Sequence, residues 1–188
     1  MSVDVMKLLI RKAIRSDMEK IEDLMVSAFG EIEGSQIVVL VSNLLADKSA
    51  YPLFSLVATV EESIVGYILF TSTIIEYSDH TNCSAILAPL AVLPKFQSQG
   101  IGAQLVTRGL NQLMAVGIDI VFVLGYPEYY TKYGFGPAGR LGYEAPYPIA
   151  DKDADAWMVR SCFPDQVERV NRKVVCADSL NNPGYWRE

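Results

Sequence analysis

"LAVLPKFQSQGIGAQLV", residues 90–106, runs from an apolar extended stretch through Pro94 into a loop holding Gly100 and Gly102, then straight into helical periodicity. Leu105, Val106, Leu110, Leu113 and Met114 recur at helical spacing, so the segment after Gly102 is predicted to be a helix with one apolar face that stops near Gly117. "DIVFVLG", residues 119–125, follows as a continuous apolar run of buried-strand length. Strand, glycine loop, helix and strand make a crossover unit, which predicts a parallel, right-handed pair.

The rest of the chain extends this unit in both directions. "KLLIRKAI", residues 7–14, reads as a first strand, and Ser16 with Glu19 has the spacing of a capping box ahead of a helix that buries Ile21, Leu24, Met25, Ala28 and Phe29. A second helix is predicted from about Ser35, after Gly34, to Ala46. "LFSLVATV" and "IVGYILFTSTII" are β-branched and aromatic runs separated by Glu61, Glu62 and Ser63, the signature of a hairpin. In "SAILAPLAVL", residues 84–93, Pro89 cannot donate to a ladder, so pairing is predicted to break there in a bulge or a splay. "PEYYTKYGFGP" reads as a short helix ended by Gly134, and "DAWMVRSCF" and "KVVCAD" as two late strands. The expected fold class is α/β (α+β): a mixed, mostly antiparallel central sheet flanked by helices.

At 188 residues, 51% hydrophobic and 20% charged, the chain is expected to form one domain over 1–188, with a core of about 7–137 and C-terminal strands in 138–188. A net charge of −6 excludes a broad nucleic-acid footprint, so any anionic ligand has to be gripped locally. The start "MSVDVMKLLIRKAIR" has too short an apolar core for a signal peptide, and no 18-residue apolar run exists, which sets the expectation of a cytoplasmic protein without a membrane span. Cys83, Cys162 and Cys176 form no CxxC pair and sit in strand-like surroundings, as reduced structural thiols do. His80 is the only histidine, which excludes a histidine triad and a multi-histidine metal site.

Successive amides entering a helix N-terminus form an anion cradle, because the first helical N–H groups lack partners and the helix dipole adds positive potential. A P-loop requires Lys and Ser or Thr after its second glycine, where Ala103 and Gln104 stand. A dinucleotide fingerprint requires a third glycine where Leu105 stands. The remaining pattern, Leu90, Val92, Pro94, Gln97, Gly100 and Gly102, resembles the acetyl-coenzyme A loop of the GNAT superfamily of N-acetyltransferases. Tyr130, Gly134 and Phe135 in "YYTKYGF" match the same superfamily's Y-x-x-x-G-F signature, and the two motifs stand in the family's order.

The resemblance implies a GNAT-like acyl-CoA N-acyltransferase fold and acetyl-CoA as co-substrate, without a metal. It implies that backbone amides of Gln97, Ser98, Gln99, Gly100, Ile101, Gly102 and Ala103 bind the pyrophosphate of coenzyme A. The pantetheine arm then pairs with Leu90, Ala91 and Val92, with Tyr130 and Tyr133 beside it and Tyr129 packing nearby. By the same resemblance the Val92 N–H is the oxyanion donor and Tyr130 the general acid that protonates the leaving thiolate. The base stays open: many members carry a glutamate on the strand into the loop, "SAILAPLAV" has none, and Glu76, Glu33 and Asp79 are the carboxylates that could act through water. Gly125 and Tyr126 stand where a coenzyme-contacting Asn is frequent, and Lys95, Arg108 and Lys132 serve equally as contacts to the adenosine phosphates or as surface charge. The implied reaction is acetylation of a primary amine on a small molecule or peptide, by a chain that is compatible with a homodimer. The alternative from another class is a non-catalytic acyl-CoA-binding sensor or scaffold.

Overall fold

The computed structural model describes residues 7–77, 84–161 and 170–186; the expectations for Asp79, His80, Cys83 and Cys162 fall outside the described residues. The chain opens with β1 (Leu8–Lys12), α1 (Met18–Phe29) and α2 (Glu31–Ala46). Three long strands follow: β2 (Phe54–Val60), β3 (Ser63–Ile75) and β4 (Ser84–Val92). After these come α3 (Ile101–Ala115), β5 (Ile120–Leu124) and the one-turn α4 (Pro127–Tyr130). The C-terminal part holds β6 (Gly136–Pro137), β7 (Tyr143–Glu144), β8 (Trp157–Ser161) and β9 (Arg172–Cys176).

The strands join in the order β1-β2-β3-β4-β5-β8-β6, with β9 beside the far end of β3 and β7 beside β9. Pairing is antiparallel except for β4 with β5 and β7 with β9, so the sheet is mixed and mostly antiparallel as expected. Glu61 and Glu62 both take positive φ in the two-residue turn between β2 and β3, which matches the right-handed twist of the flanking strands. The two-residue strands β6 and β7 were not legible, because a two-residue strand has no periodicity to read.

Strand alternation divides the interior into two apolar layers. Val57, Tyr67, Leu69, Ile86, Ala91 and Phe122 face α1, α2 and the C-terminal segment with Leu180 and Trp186. Leu56, Ala58, Ile68, Phe70, Leu87 and Val123 face α3 and the turn carrying Tyr130 and Phe135. Burying one such Leu, Ile or Phe side chain contributes about 1.5–3 kcal/mol, so both layers stabilise the sheet substantially. The α3 face is the predicted one except for Met114, which is 37% exposed while Ile101 and Gly109 are buried in its stead.

Two helix boundaries differ from the sequence expectation. The chain enters α1 through a 3-10 turn, Arg15–Asp17, in which Asp17 rather than Ser16 does the capping. The Asp17 carboxylate accepts from the Ile14 N–H at 2.8 Å and from both terminal nitrogens of Arg11, and the Arg11 hydrogen bonds hold it below the usual carboxylate range. Helix α2 begins at Glu31, not after Gly34, because Gly30 at φ 84° supplies the break. Gly34 sits inside the helix at its crossing with α1, where a Cβ would lie 2.6 Å from the Val26 Cα. The glycine that reads as a terminator is therefore a contact point between two helices.

The C-terminal segment is clasped to the end of α2 by one carboxylate. Asp47 accepts from the N–H and hydroxyl of Ser49 and from the N–H and hydroxyl of Ser179, all at 2.6–2.8 Å. Burial pushes its pKa up, but the four hydrogen bonds prevail and hold it at about 2, against an ordinary value of 3.8. A depressed carboxylate stabilises the fold above its unfolded pKa and loses that contribution as pH falls through its folded one. Thermal stability is therefore expected to drop between about pH 4 and pH 2 in the native protein. In Asp47→Asn that segment of the pH profile is expected to flatten, which melting curves across the range would check.

Candidate functional site

The site begins where β4 and β5 part. They pair from Ser84↔Ile120 to Leu87↔Val123 and no further, and opposite β3 the register shifts between Ile68 and Phe70, so that Ala88 and Pro89 face a single residue. This is the predicted interruption at Pro89, realised as both a bulge and a splay. Burial changes at the same point: Ser84 to Leu87 are buried and Ala88 to Leu90 only half-buried. The Leu93 N–H bonds the Val65 carbonyl on β3, so alternation turns the N–H groups of Leu90 and Val92 the other way, into the opening toward β5. Ala91 points its amide at β3 and its side chain into the opposite core layer.

The loop continues from this open edge. Ser98 and Gly100 both take positive φ (59° and 80°), and among the described residues the N–H groups from Ser98 to Ala103 have no acceptor. The Gln97 amide is not among these free donors, because it closes the turn on the Pro94 carbonyl at 3.2 Å. Its side-chain amide donates to the Val92 carbonyl and that of Gln99 to the Lys95 carbonyl, both at 3.0 Å. The two glutamines therefore fasten the loop while the backbone beyond them stays free for an anion.

Three tyrosines flank the loop. Tyr130 is 8% exposed, with its ring edge-on to Tyr129 (centroids 5.0 Å apart) and to Phe135 (5.7 Å). It lies over Gly125 at the end of β5, where a Cβ would stand 2.6 Å from a Tyr130 ring carbon. A glycine at 125 is thus a requirement of the tyrosine ring, which explains why no asparagine stands there. Tyr129 reaches across to α3, and its hydroxyl crowds the place a Cβ on Gly102 would take. Burial drives the Tyr129 phenol far above its ordinary value of 10, and the neighbouring Tyr133 acts in the same direction. Tyr126 stays exposed at the rim.

Of the carboxylates expected to serve as base, Glu76 and Glu33 are not in this cluster. Val92 pairs with Gly66 and Leu87 with Phe70, whereas Glu76 follows the end of β3. At about 3.3 Å per residue that places Glu76 roughly 20 Å from the point of splay and roughly 30 Å from Val92, beyond the reach of one bridging water. Glu33 is exposed on the first turn of α2. Of the cations, Lys95 lies 5.1 Å over the Phe96 ring and Lys132 is exposed. Arg108 lies beside Ala103 and Gln104 in an open groove of about 340 Å³. Among the described residues no cluster of His, Cys, Asp or Glu could hold a metal, and no helix is long and apolar enough to cross a membrane. Cys176, on β9, has its thiol pushed up to about 12 by burial, which makes it unreactive.

The chain matches the family model for the acetyltransferase (GNAT) domain over residues 53–137. It is 40% identical over 165 residues to the uncharacterized N-acetyltransferase YjhQ of Escherichia coli K12, covering 87% of this chain and 89% of that protein. It is 32% identical over 175 residues to the uncharacterized N-acetyltransferase YhbS of the same strain, covering 93% and 99%. The crystal structure of YhbS from Escherichia coli in complex with CoA superposes with a TM-score of 0.84 at 28% identity, over 97% of this chain and 96% of that one. A GNAT family acetyltransferase from Brucella melitensis, in complex with acetyl-CoA, shares the fold with a TM-score of 0.71 at 24% identity, over 93% and 98%.

Proposed function

The chain belongs to the GNAT superfamily of N-acetyltransferases, and from that premise we propose that it moves the acetyl group of acetyl-CoA to a primary amine by direct attack, with residues 1–188 acting as one domain. The observation that carries this reading is the continuous surface formed by the β4–β5 splay, the inward amides of Leu90 and Val92, and the free amides of Ser98 to Ala103. The pyrophosphate fits the six loop amides, and the pantetheine arm adds to β4 like an extra strand. The CoA held in the related YhbS structure supports the same ligand here.

The order of groups along β4 supports a division of the chemistry. An arm running from the loop to the point of splay meets the Val92 N–H first and the Leu90 N–H nearer its thioester end. Both amides face the opening, so the oxyanion role expected of Val92 belongs to this pair, with Leu90 the nearer donor. The amine nitrogen attacks the thioester carbon, the carbonyl oxygen takes the negative charge, and the C–S bond then breaks. Tyr130, against the β5 wall, protonates the departing thiolate; a phenol and a thiol have pKa values close enough for that transfer. The proton lost by the amine passes to solvent, since Glu76 lies too far away to take it.

One observation favours the sensor reading: Ile86 and Phe122, at the point of splay on the α1 side, are apolar and buried where a base would help. Thermal stabilisation measured side by side with acetyl-CoA, CoA, NAD and ATP tests the ligand. Selective stabilisation by the CoA pair is expected, about 2.7 kcal/mol at a hundredfold excess over Kd. No shift at millimolar CoA contradicts the reading. Amine-dependent release of free CoA then separates the enzyme from the sensor.

A further inference from the structure

The Tyr129 and Tyr133 rings stand 5.3 Å apart, on the α3 side of the sheet. A phenol carries one O–H to donate. The place of the Tyr129 hydroxyl is defined by Gly102, the second residue of α3. A Cβ leans toward the N-terminus of its helix, and the Tyr129 hydroxyl crowds the Cβ position of Gly102. It therefore lies against the first turn, beside the partnerless amides of Ile101, Gly102 and Ala103, with the Val92 side chain next to it.

We infer that Tyr129 is a side-chain arm of the anion cradle, donating its O–H to a pyrophosphate oxygen of the coenzyme; this rests on the acetyl-CoA reading above. Neither motif match assigns this work to Tyr129. The phenol is suited to it because it stays protonated: burial keeps Tyr129 neutral, and a phenolate there would repel the phosphate. It also gives Gly102 a second reason to be glycine. A methyl group at 102 would meet the Tyr129 hydroxyl, but it would sit at an ordinary 3.6 Å from the ring carbon bearing that hydroxyl. Removing the oxygen from Tyr129 should make room for alanine at 102.

The test is calorimetric binding of CoA, dephospho-CoA and pantetheine to the wild type and to Tyr129→Phe, Gly102→Ala and the double variant. Tyr129→Phe is expected to weaken CoA and dephospho-CoA equally, about tenfold, as for the loss of a hydrogen bond to a charged group, and to leave pantetheine unchanged. Equal binding of CoA by the wild type and Tyr129→Phe, or the same loss for pantetheine, overturns the inference while leaving the family reading intact. Absence of CoA binding by the wild type overturns both. The cycle supplies the independent check: the double variant should bind CoA no more weakly than Tyr129→Phe alone, whereas additive losses overturn the link between the hydroxyl and Gly102.

Discussion

Tyr130→Phe is expected to lower kcat by about 10²–10³-fold while leaving the Kd for CoA within about twofold. Phenylalanine keeps the ring that packs over Gly125 and edge-on to Tyr129 and Phe135, so the wall of the cleft and the fold are retained. What is lost is the single proton that turns a thiolate into a neutral leaving group. Steady-state kinetics at saturating substrates, with CoA affinity measured on the same preparations, separate these quantities. Unchanged kcat across the pH range would remove Tyr130 from the acid role; a matched loss of CoA affinity would make it a packing residue of the cleft.

Gly102→Glu is expected to abolish CoA binding, with a loss of more than about a hundredfold, while leaving the melting temperature close to that of the wild type. Glutamate is a better helix former than glycine, and a carboxylate in the first turn of α3 suits the helix dipole. The same features empty the site of its ligand, because the carboxylate competes for the free amides of the cradle and repels the pyrophosphate. The side chain also has to displace the Tyr129 hydroxyl. Circular dichroism and CoA calorimetry on one sample check both halves, and normal affinity in the folded variant contradicts the location of the cradle.

Both experiments address residues legible in the sequence. Gly100, Gly102 and Tyr130 belong to patterns spaced along one segment, and local chemistry accounts for them: amides freed at a helix start, and a phenol on a short turn. Pro89 was legible for the same reason, since a missing N–H has one structural consequence wherever it falls in a strand, and the splay lies there. The long elements followed from periodicity, although Gly34 misled because its partner, the Val26 backbone, lies on another helix. Ser16 misled because Asp17, one residue on, also gained Arg11.

By itself the sequence determined the order of elements, the interrupted strand, the glycine loop with its free amides and the phenol behind it, because each depends on residues within a few positions of one another. Only the tertiary structure decided how distant segments share one place. It set Glu76 far along the sheet from Val92, since strand register fixes distance along the sheet. It set Tyr129 against Gly102 and Tyr130 against Gly125, and it clasped Ser179 to Asp47. Contacts between residues far apart in the chain have no period or spacing to betray them; they exist because two faces of a sheet each had to be covered, and the covering elements brought their side chains with them.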